Sequence, residues 1–147
     1  MTEYDKTVIN KIPPHDINAE QAYLSVIFQK PNTIRETTEI GMDDFYRSSH
    51  NLIFQAMVSL YEDGEEIDLI TVSKHLKSYD VLEKVGGQDY LYEIAFMDAT
   101  PAMVSGYAKI IKECSTKRHI INSCQSIIQS AYQDLSDPES LKSKITD

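Results

Sequence analysis

The sequence predicts an all-α protein, in which a compact multi-helix globular head is followed by a long helical hairpin. Apolar residues recur at three- and four-residue spacing in several short segments, which is the period of an amphipathic helix. No segment shows the strict alternation of a half-buried strand. One stretch, residues 102–132, contains no proline and a single glycine, as a long helix requires.

Composition sets the broad class of the protein. Its 147 residues, of which 41% are hydrophobic, suit one folded domain with its own core. No apolar run approaches the roughly 18 residues that a membrane-spanning helix needs, so we expect no membrane partner. Two cysteines are too few for a disulfide scaffold, which favours a cytoplasmic location.

The N-terminal part of the chain predicts a loose segment and two helices. Residues 1–13 show no periodicity and are expected to form a flexible N-terminal arm. Asp16 or Asn18 can cap the first helix, which should end near Gln29. A second, short helix is expected at about residues 32–40.

Three further helices complete the predicted head, residues 14–100. Ser48 or Ser49 is expected to cap the first of them, Asp68 the second, and residues 88–97 form the third. Helical spacing predicts that their inward-facing positions are Leu52, Ile53, Ala56, Met57, Leu60, Leu69, Val72, Leu76, Tyr79, Tyr90, Leu91, Ile94 and Ala95.

A long helix opens the predicted hairpin, residues 101–147. Thr100 and Pro101 supply its cap and first residue, and Pro138 begins a return helix. At about 1.5 Å per residue, the long helix would span about 45 Å, too far for a small head to cover. Its heptad seam, a candidate self-association interface, consists of Met103, Tyr107, Ile110, Cys114, Ile121, Cys124, Ile128 and Ala131, interrupted by Lys117.

Charge is distributed unevenly along the chain. The net charge is −9, yet residues 41–100 carry −8 and residues 101–133 carry +3. The basic side chains could contact DNA or an acidic partner surface, or they could form a solvated helix flank. The flank interpretation is favoured because no aromatic residues are interleaved with these basic residues, Lys109, Lys112, Lys117 and Arg118.

The sequence lacks the motifs of an enzyme. None of the five glycines begins the Gly-rich turn, followed by lysine and serine or threonine, that binds phosphates. The four histidines fall on separate elements, and no metal-ligand spacing is present. Cys114 and Cys124 are expected to be small apolar seam residues. Solvent exposure is expected for the paired acids Asp43–Asp44, Glu62–Asp63 and Glu65–Glu66.

A series of short blocks has the order and spacing of a known family. The blocks are Pro14–Ala22, Asp44–Arg47, His50 with Ile53–Met57, Ile67–Val72, Val85–Gly87, Tyr90–Leu91, Thr100–Pro101, Tyr107–Ile111 and Lys117–Arg118. Together they resemble the N-terminal domain of DnaB-type replicative DNA helicases of bacteria and phages. The chain departs from that pattern at Tyr23–Val26, where relatives often have Val-Leu-Gly-Ala, and at Asp98–Ala99, where they usually have Asn-Val.

The resemblance implies a non-catalytic module of DNA replication. Hairpins of two subunits pair, and three pairs form a ring that stabilises the helicase hexamer and docks primase and, in some systems, a helicase loader. The full-length protein would unwind duplex DNA in the cytoplasmic replisome, using ATP and Mg²⁺ in a motor domain that also makes the main DNA contact. This chain is expected to end before the linker and the motor domain, and to bind no cofactor itself.

A different class of function is left open by the sequence. A free-standing phage or plasmid regulator of this shape could join or block a host helicase ring. A natural stop codon after residue 147 would favour the regulator, whereas a gene that continues into a P-loop domain would favour the helicase domain. A small helical enzyme is disfavoured because no acid–base constellation supports it.

Overall fold

Seven α-helices, and no strand, make up the part of the chain that this computed structural model describes, residues 11–133 and 137–146. This arrangement confirms the predicted all-α class. Two 3-10 turns lie between them, at Met42–Asp44 and Pro101–Met103. The helices are α1 (Ile17–Gln29), α2 (Thr33–Glu36), α3 (Ser48–Glu62), α4 (Leu69–Ser78), α5 (Gly87–Ala95), α6 (Val104–Gln133) and α7 (Pro138–Thr146).

The chain divides into two compact units. His15–Ser115 form one unit, called the head from here on, and Met1–Pro14 with Thr116–Asp147 form the other. The head thus extends beyond residue 100, where the sequence places its end. The reason is that the first turns of α6 bury Ala108 and Ile111 in the head core.

Helix α1 lies at the centre of the head. It contacts α2, α3 and α5, while α4 packs against α3 and α5. Tyr23, Leu24 and Ile27 of α1 have no exposed surface. Burying such side chains contributes about 1.5–3 kcal/mol each, which makes this apolar core the main source of the head's stability.

Local sequence signals determine where several helices begin. The Asp16 carboxylate accepts a hydrogen bond from the Ala19 amide at 2.9 Å, which caps α1. Asp68 and Thr71 form a reciprocal capping box at the start of α4. The Thr100 side chain caps the 3-10 turn that leads into α6. The predicted caps Asp16, Asp68 and Thr100 are confirmed.

Three details of the predicted head were wrong. Neither Ser48 nor Ser49 caps α3, because Arg47 occupies the cap position in extended backbone and makes no side-chain capping bond. Tyr79 is 69% exposed and does not face inward, because α4 ends at Ser78 and the chain turns away. Helix α2 is a single turn and therefore shorter than the predicted residues 32–40.

The second unit contains the end of α6 and helix α7. The two helices lie side by side, because residues of both line one groove. Ile127 of α6 and Lys144 of α7 are among these residues. From Thr116 onward no described side chain is fully buried. The predicted arm, residues 1–13, lies mostly outside the described residues, and so does the turn at residues 134–136.

None of the described helices is both long and apolar enough to cross a membrane.

Gly86 provides a test of the turn that begins α5. Its φ is +113°, and an added Cβ would lie 2.7 Å from Cβ of Tyr90. We expect Gly86→Ala to lower the free energy of unfolding by about 2–3 kcal/mol, measured by urea denaturation. The matched control is Gly106→Ala in α6, where the added Cβ meets nothing within 4 Å. That change should stabilise the protein by about 0.5–1 kcal/mol, and equal stability of both variants would contradict the account.

Candidate functional site

A polar cluster in the head joins α1, α3 and α5. Glu20 is 2% exposed and His50 has no exposed surface. The Nδ1 atom of His50 lies 2.7 Å from Oε1 of Glu20, and its Nε2 atom lies 2.6 Å from the Tyr90 hydroxyl. Three residues from three helices therefore form one continuous chain of hydrogen bonds.

The surrounding groups complete the hydrogen bonding of this cluster. The Tyr90 hydroxyl accepts bonds from Nε2 of Gln21 and Nη1 of Arg47, each at 2.9 Å. Its own hydrogen can then be donated to Nε2 of His50, whose Nδ1–H is donated to Glu20. The second oxygen of Glu20 accepts a bond from the amide of Tyr46 at 2.7 Å. Buried polar groups that are satisfied in this way specify how the three helices meet.

The cluster explains part of the family resemblance. Glu20, Gln21, Arg47, His50 and Tyr90 all belong to the blocks that carry it, and in the structure these distant blocks meet at one place. The cluster was not predicted from the sequence, because Tyr90 was expected to be a core residue and no role was expected for His50. The available signal was a carboxylate and an imidazole on helix faces that are otherwise apolar.

A second buried carboxylate holds the beginning of α6 to the head. Asp44 is buried, and it accepts bonds from the Gly41 amide at 2.7 Å, the Ser115 hydroxyl at 2.7 Å and Nζ of Lys112 at 3.2 Å. Burial alone would raise the pKa of Asp44, but these three donors outweigh it and lower the pKa below its ordinary value. The expectation that Asp44 is solvated was therefore wrong.

The other paired acids are exposed as predicted: Asp43, Glu62, Asp63, Glu65 and Glu66.

Some residues of the predicted basic cluster have partners within the chain. Lys112 is bound to Asp44, and Nη1 of Arg118 donates to the carbonyl oxygen of Pro14 at 2.9 Å. Lys109 and Lys117 are exposed. Two of the four basic side chains thus have structural partners within the chain, and a contact to DNA or to an acidic partner stays a prediction.

The predicted seam of α6 lies on a different face from the one that the head covers. Ala108, Ile111 and Ser115 are the buried residues of this helix. Of the seam, Tyr107 and Cys114 are half-buried. The exposed seam residues are Met103, Ile110, Lys117, Ile121, Cys124, Ile128 and Ala131. Because most of the seam is exposed along α6, its geometry permits self-association, which stays a prediction.

The described residues show no site for redox or metal chemistry. Cys114 and Cys124 are free thiols. Within residues 11–133 and 137–146, no group of three or more His, Cys, Asp or Glu side chains could hold a metal ion.

The described residues form an all-α fold that includes one long helix, α6, and comparison with known proteins specifies the family. Residues 12–113 match the family described as DnaB-like helicase N terminal domain. The chain therefore belongs to this family, as its sequence blocks predicted.

Two relatives and one solved structure illustrate the match. The chain is 41% identical over 136 residues to the replicative DNA helicase DnaC of Bacillus subtilis, covering 92% of this chain and 30% of the relative. It is 42% identical over 123 residues to the replicative DNA helicase DnaB of Geobacillus stearothermophilus, covering 83% and 27%. The crystal structure of the N-terminal domain of DnaB helicase from Mycobacterium tuberculosis superposes with a TM-score of 0.85 at 28% identity, covering 92% of this chain and 99% of that one. The chain thus spans less than a third of the length of the first two relatives.

Tyr90 and Tyr92 form a matched pair that tests the polar cluster. Tyr90→Phe leaves His50, Gln21 and Arg47 without the hydroxyl that joins them, so we expect it to lower the free energy of unfolding by about 1–3 kcal/mol. Tyr92 is exposed, and Tyr92→Phe should change that free energy by less than about 0.5 kcal/mol. Chemical denaturation of the two variants measures the difference. Equal effects would show that the cluster does not contribute to the head's stability.

Asp44 makes the stability of the head depend on pH. A carboxyl with a lowered pKa in the folded state contributes stability above its unfolded pKa of about 4, and this contribution is lost as pH falls through the folded pKa. We expect Asp44→Asn to be less stable than wild type by about 1–3 kcal/mol at neutral pH, with the gap narrowing below about pH 4. Thermal unfolding across this pH range measures the gap.

Asp43→Asn is the control for this experiment, because Asp43 is the exposed neighbour of Asp44. It should show no comparable gap at any pH. A constant difference between Asp44→Asn and wild type across the pH range would contradict the assignment.

Proposed function

We propose that this chain is a non-catalytic assembly module of a replicative DNA helicase. It pairs with a second copy through the α6 seam, three such pairs form a ring, and the heads present a docking surface for primase and, in some systems, a helicase loader. The observation that supports this proposal is the row of exposed apolar side chains on α6, in a chain that belongs to the family.

The energetics of the seam favour pairing. Met103, Ile110, Ile121 and Ile128 are all large apolar side chains with substantial exposed surface. Removing each from water contributes about 1.5–3 kcal/mol when burial is complete, and a pair of helices buries two such rows. Because these residues are 37–55% exposed, roughly half of this gain is still available, and it is comparable to the association cost of about 4–15 kcal/mol.

The distal part of α6 has a second reason to need a partner. In proteins, most of the stability of a helix comes from the packing of its amphipathic face. After Ser115 the described residues of α6 have no fully buried side chain. Helix α7 lies beside this segment, but the seam residues Ile121 and Ile128 stay exposed, so pairing of the seams would add packing that α7 does not supply.

The proposal extends to the whole protein of which this domain is a part. The relatives are named replicative DNA helicases, and the chain matches less than a third of their length. The full-length protein would unwind duplex DNA in the cytoplasmic replisome. ATP, Mg²⁺ and the main DNA contact would belong to the motor domain, and the ring described above would stabilise the hexamer.

Ile121→Asp tests the pairing directly. An aspartate in the middle of an apolar interface would be buried without a partner, so we expect this change to weaken pairing by at least about tenfold. Sedimentation velocity over about 1–100 μM should show wild-type oligomers and a largely monomeric variant. Circular dichroism should show that the head of the variant remains folded, because Ile121 lies outside the head.

Thr116→Asp is the matched control, because it adds the same charge to an exposed position of α6 outside the seam. Its sedimentation should equal that of wild type. A wild-type chain that stays monomeric at the highest concentration would overturn the proposal, and so would an Ile121→Asp variant that assembles normally.

A further inference from the structure

Three large apolar side chains on α4 and α5 of the head are exposed, and none of them belongs to the α6 seam. Ile70 of α4 is 77% exposed, Tyr92 of α5 is 59% exposed, and Phe96 at the end of α5 is 68% exposed. The rings of Tyr92 and Phe96 contact each other, with centroids 4.6 Å apart. These residues are called the head patch. The core does not need them, because α4 and α5 bury other side chains, among them Val72 and Leu91.

Two grooves flank Ile70 in the head patch. One, of about 430 Å³, lies between Ile70 and Phe96 and reaches Phe28 of α1. The other, of about 300 Å³, lies between Ile70 and Tyr92. Leu69 lines both grooves, so they are neighbours on one face of the head. Adjacent hollows on either side of a ridge suit a helix that presents apolar side chains on successive turns.

The acidic charge around the head patch indicates which charge its partner carries. Asp68 lines the first groove and Asp89 lines the second, and none of the described residues that line either groove is basic. Glu93 lies on the same helix as Tyr92, and residues 41–100 carry a net charge of −8. Complementary charge on a partner would speed its approach and orient it on this surface. A partner that fits both the grooves and this rim is therefore apolar on one face and cationic at its edges.

We propose that the head patch docks an amphipathic helix of a partner protein, with leucine-like side chains on one face and lysine or arginine at its edges. This inference rests on the proposed docking role and assigns that role to one surface. Exposed apolar groups that flank grooves with an acidic rim are typical of such interaction sites.

The probe for this proposal is a synthetic 16-residue helical peptide with leucines on one face and lysines on the other. It is titrated into the chain labelled at its isoleucine methyl groups, which remain visible by NMR in large oligomers. The Ile70 methyl should shift on binding while the Ile120 methyl on α6 does not. A peptide with glutamate in place of every lysine should not bind, because the groove rim is acidic.

Two variants of the head patch and one control measure its contribution. Ile70→Ser and Phe96→Ser should each weaken peptide binding, measured by fluorescence anisotropy, by about tenfold, which corresponds to about 1.4 kcal/mol. Tyr79→Ser removes an equally exposed aromatic ring from the head outside the patch, and it should change binding less than about twofold. Thermal unfolding of all three should be close to wild type, because the replaced side chains are exposed.

Three results would overturn the proposal. The Ile70 methyl could stay unshifted at saturating peptide, or the two patch variants could bind as wild type does. Ile70→Ser could also dissociate the oligomer in sedimentation, in which case a second copy of this chain occupies the patch. The first two results do not depend on the seam, because failure of self-assembly is detected separately with Ile121→Asp.

Discussion

The rest of the structure depends on which face of α6 the head covers. Ala108 and Ile111 complete the apolar core of the head, and the Ser115 hydroxyl donates to the buried carboxylate of Asp44. In a helix of 3.6 residues per turn, burying these positions directs residues such as Ile110 and Ile121 to another side. The attachment to the head thus leaves a second apolar face exposed. The function that we propose depends on that second face.

Two kinds of interaction hold the helices of the head together. Its apolar core supplies most of the stability, and its buried polar groups specify how the helices are arranged. The bonds from His50 to Glu20 and Tyr90 join three helices at distances of 2.6–2.7 Å. The hydrophobic effect is non-directional, whereas hydrogen bonds of this length require a defined distance and orientation of the groups that they join. Helix α5, which carries Tyr92 of the head patch, is one of the three helices that these bonds join.

Local features of the fold were predictable from the sequence because their causes lie within a few residues of each other. The caps at Asp16 and Asp68 act over three residues, and the unbroken period of α6 predicted one long helix. The prediction that Ser48 caps α3 was wrong, because the helix begins one residue earlier than a serine cap would require. The residue type favours a cap, but the backbone conformation decides which residue occupies the cap position. The prediction that Tyr79 faces inward was wrong because apolar periodicity does not show where a helix ends.

The site residues were harder to predict, because their contacts join distant parts of the chain. Asp44 meets Ser115 across 71 residues, and His50 meets Tyr90 across 40 residues. Composition and spacing reveal such pairs only when the fold is known. The family resemblance had singled out most of these residues but gave no reason for them. The structure supplies the reason: these residues form hydrogen bonds with one another in the interior of the head.

The central claim is that a second copy of the chain covers the exposed face of α6. Hydrogen exchange of the α6 amides, compared between about 1 μM and about 100 μM chain, tests it most directly. The account predicts that amides after Thr116 become protected as concentration rises, while those of α1 and α3 in the head keep the same protection. Exchange after Thr116 that does not depend on concentration would contradict the claim.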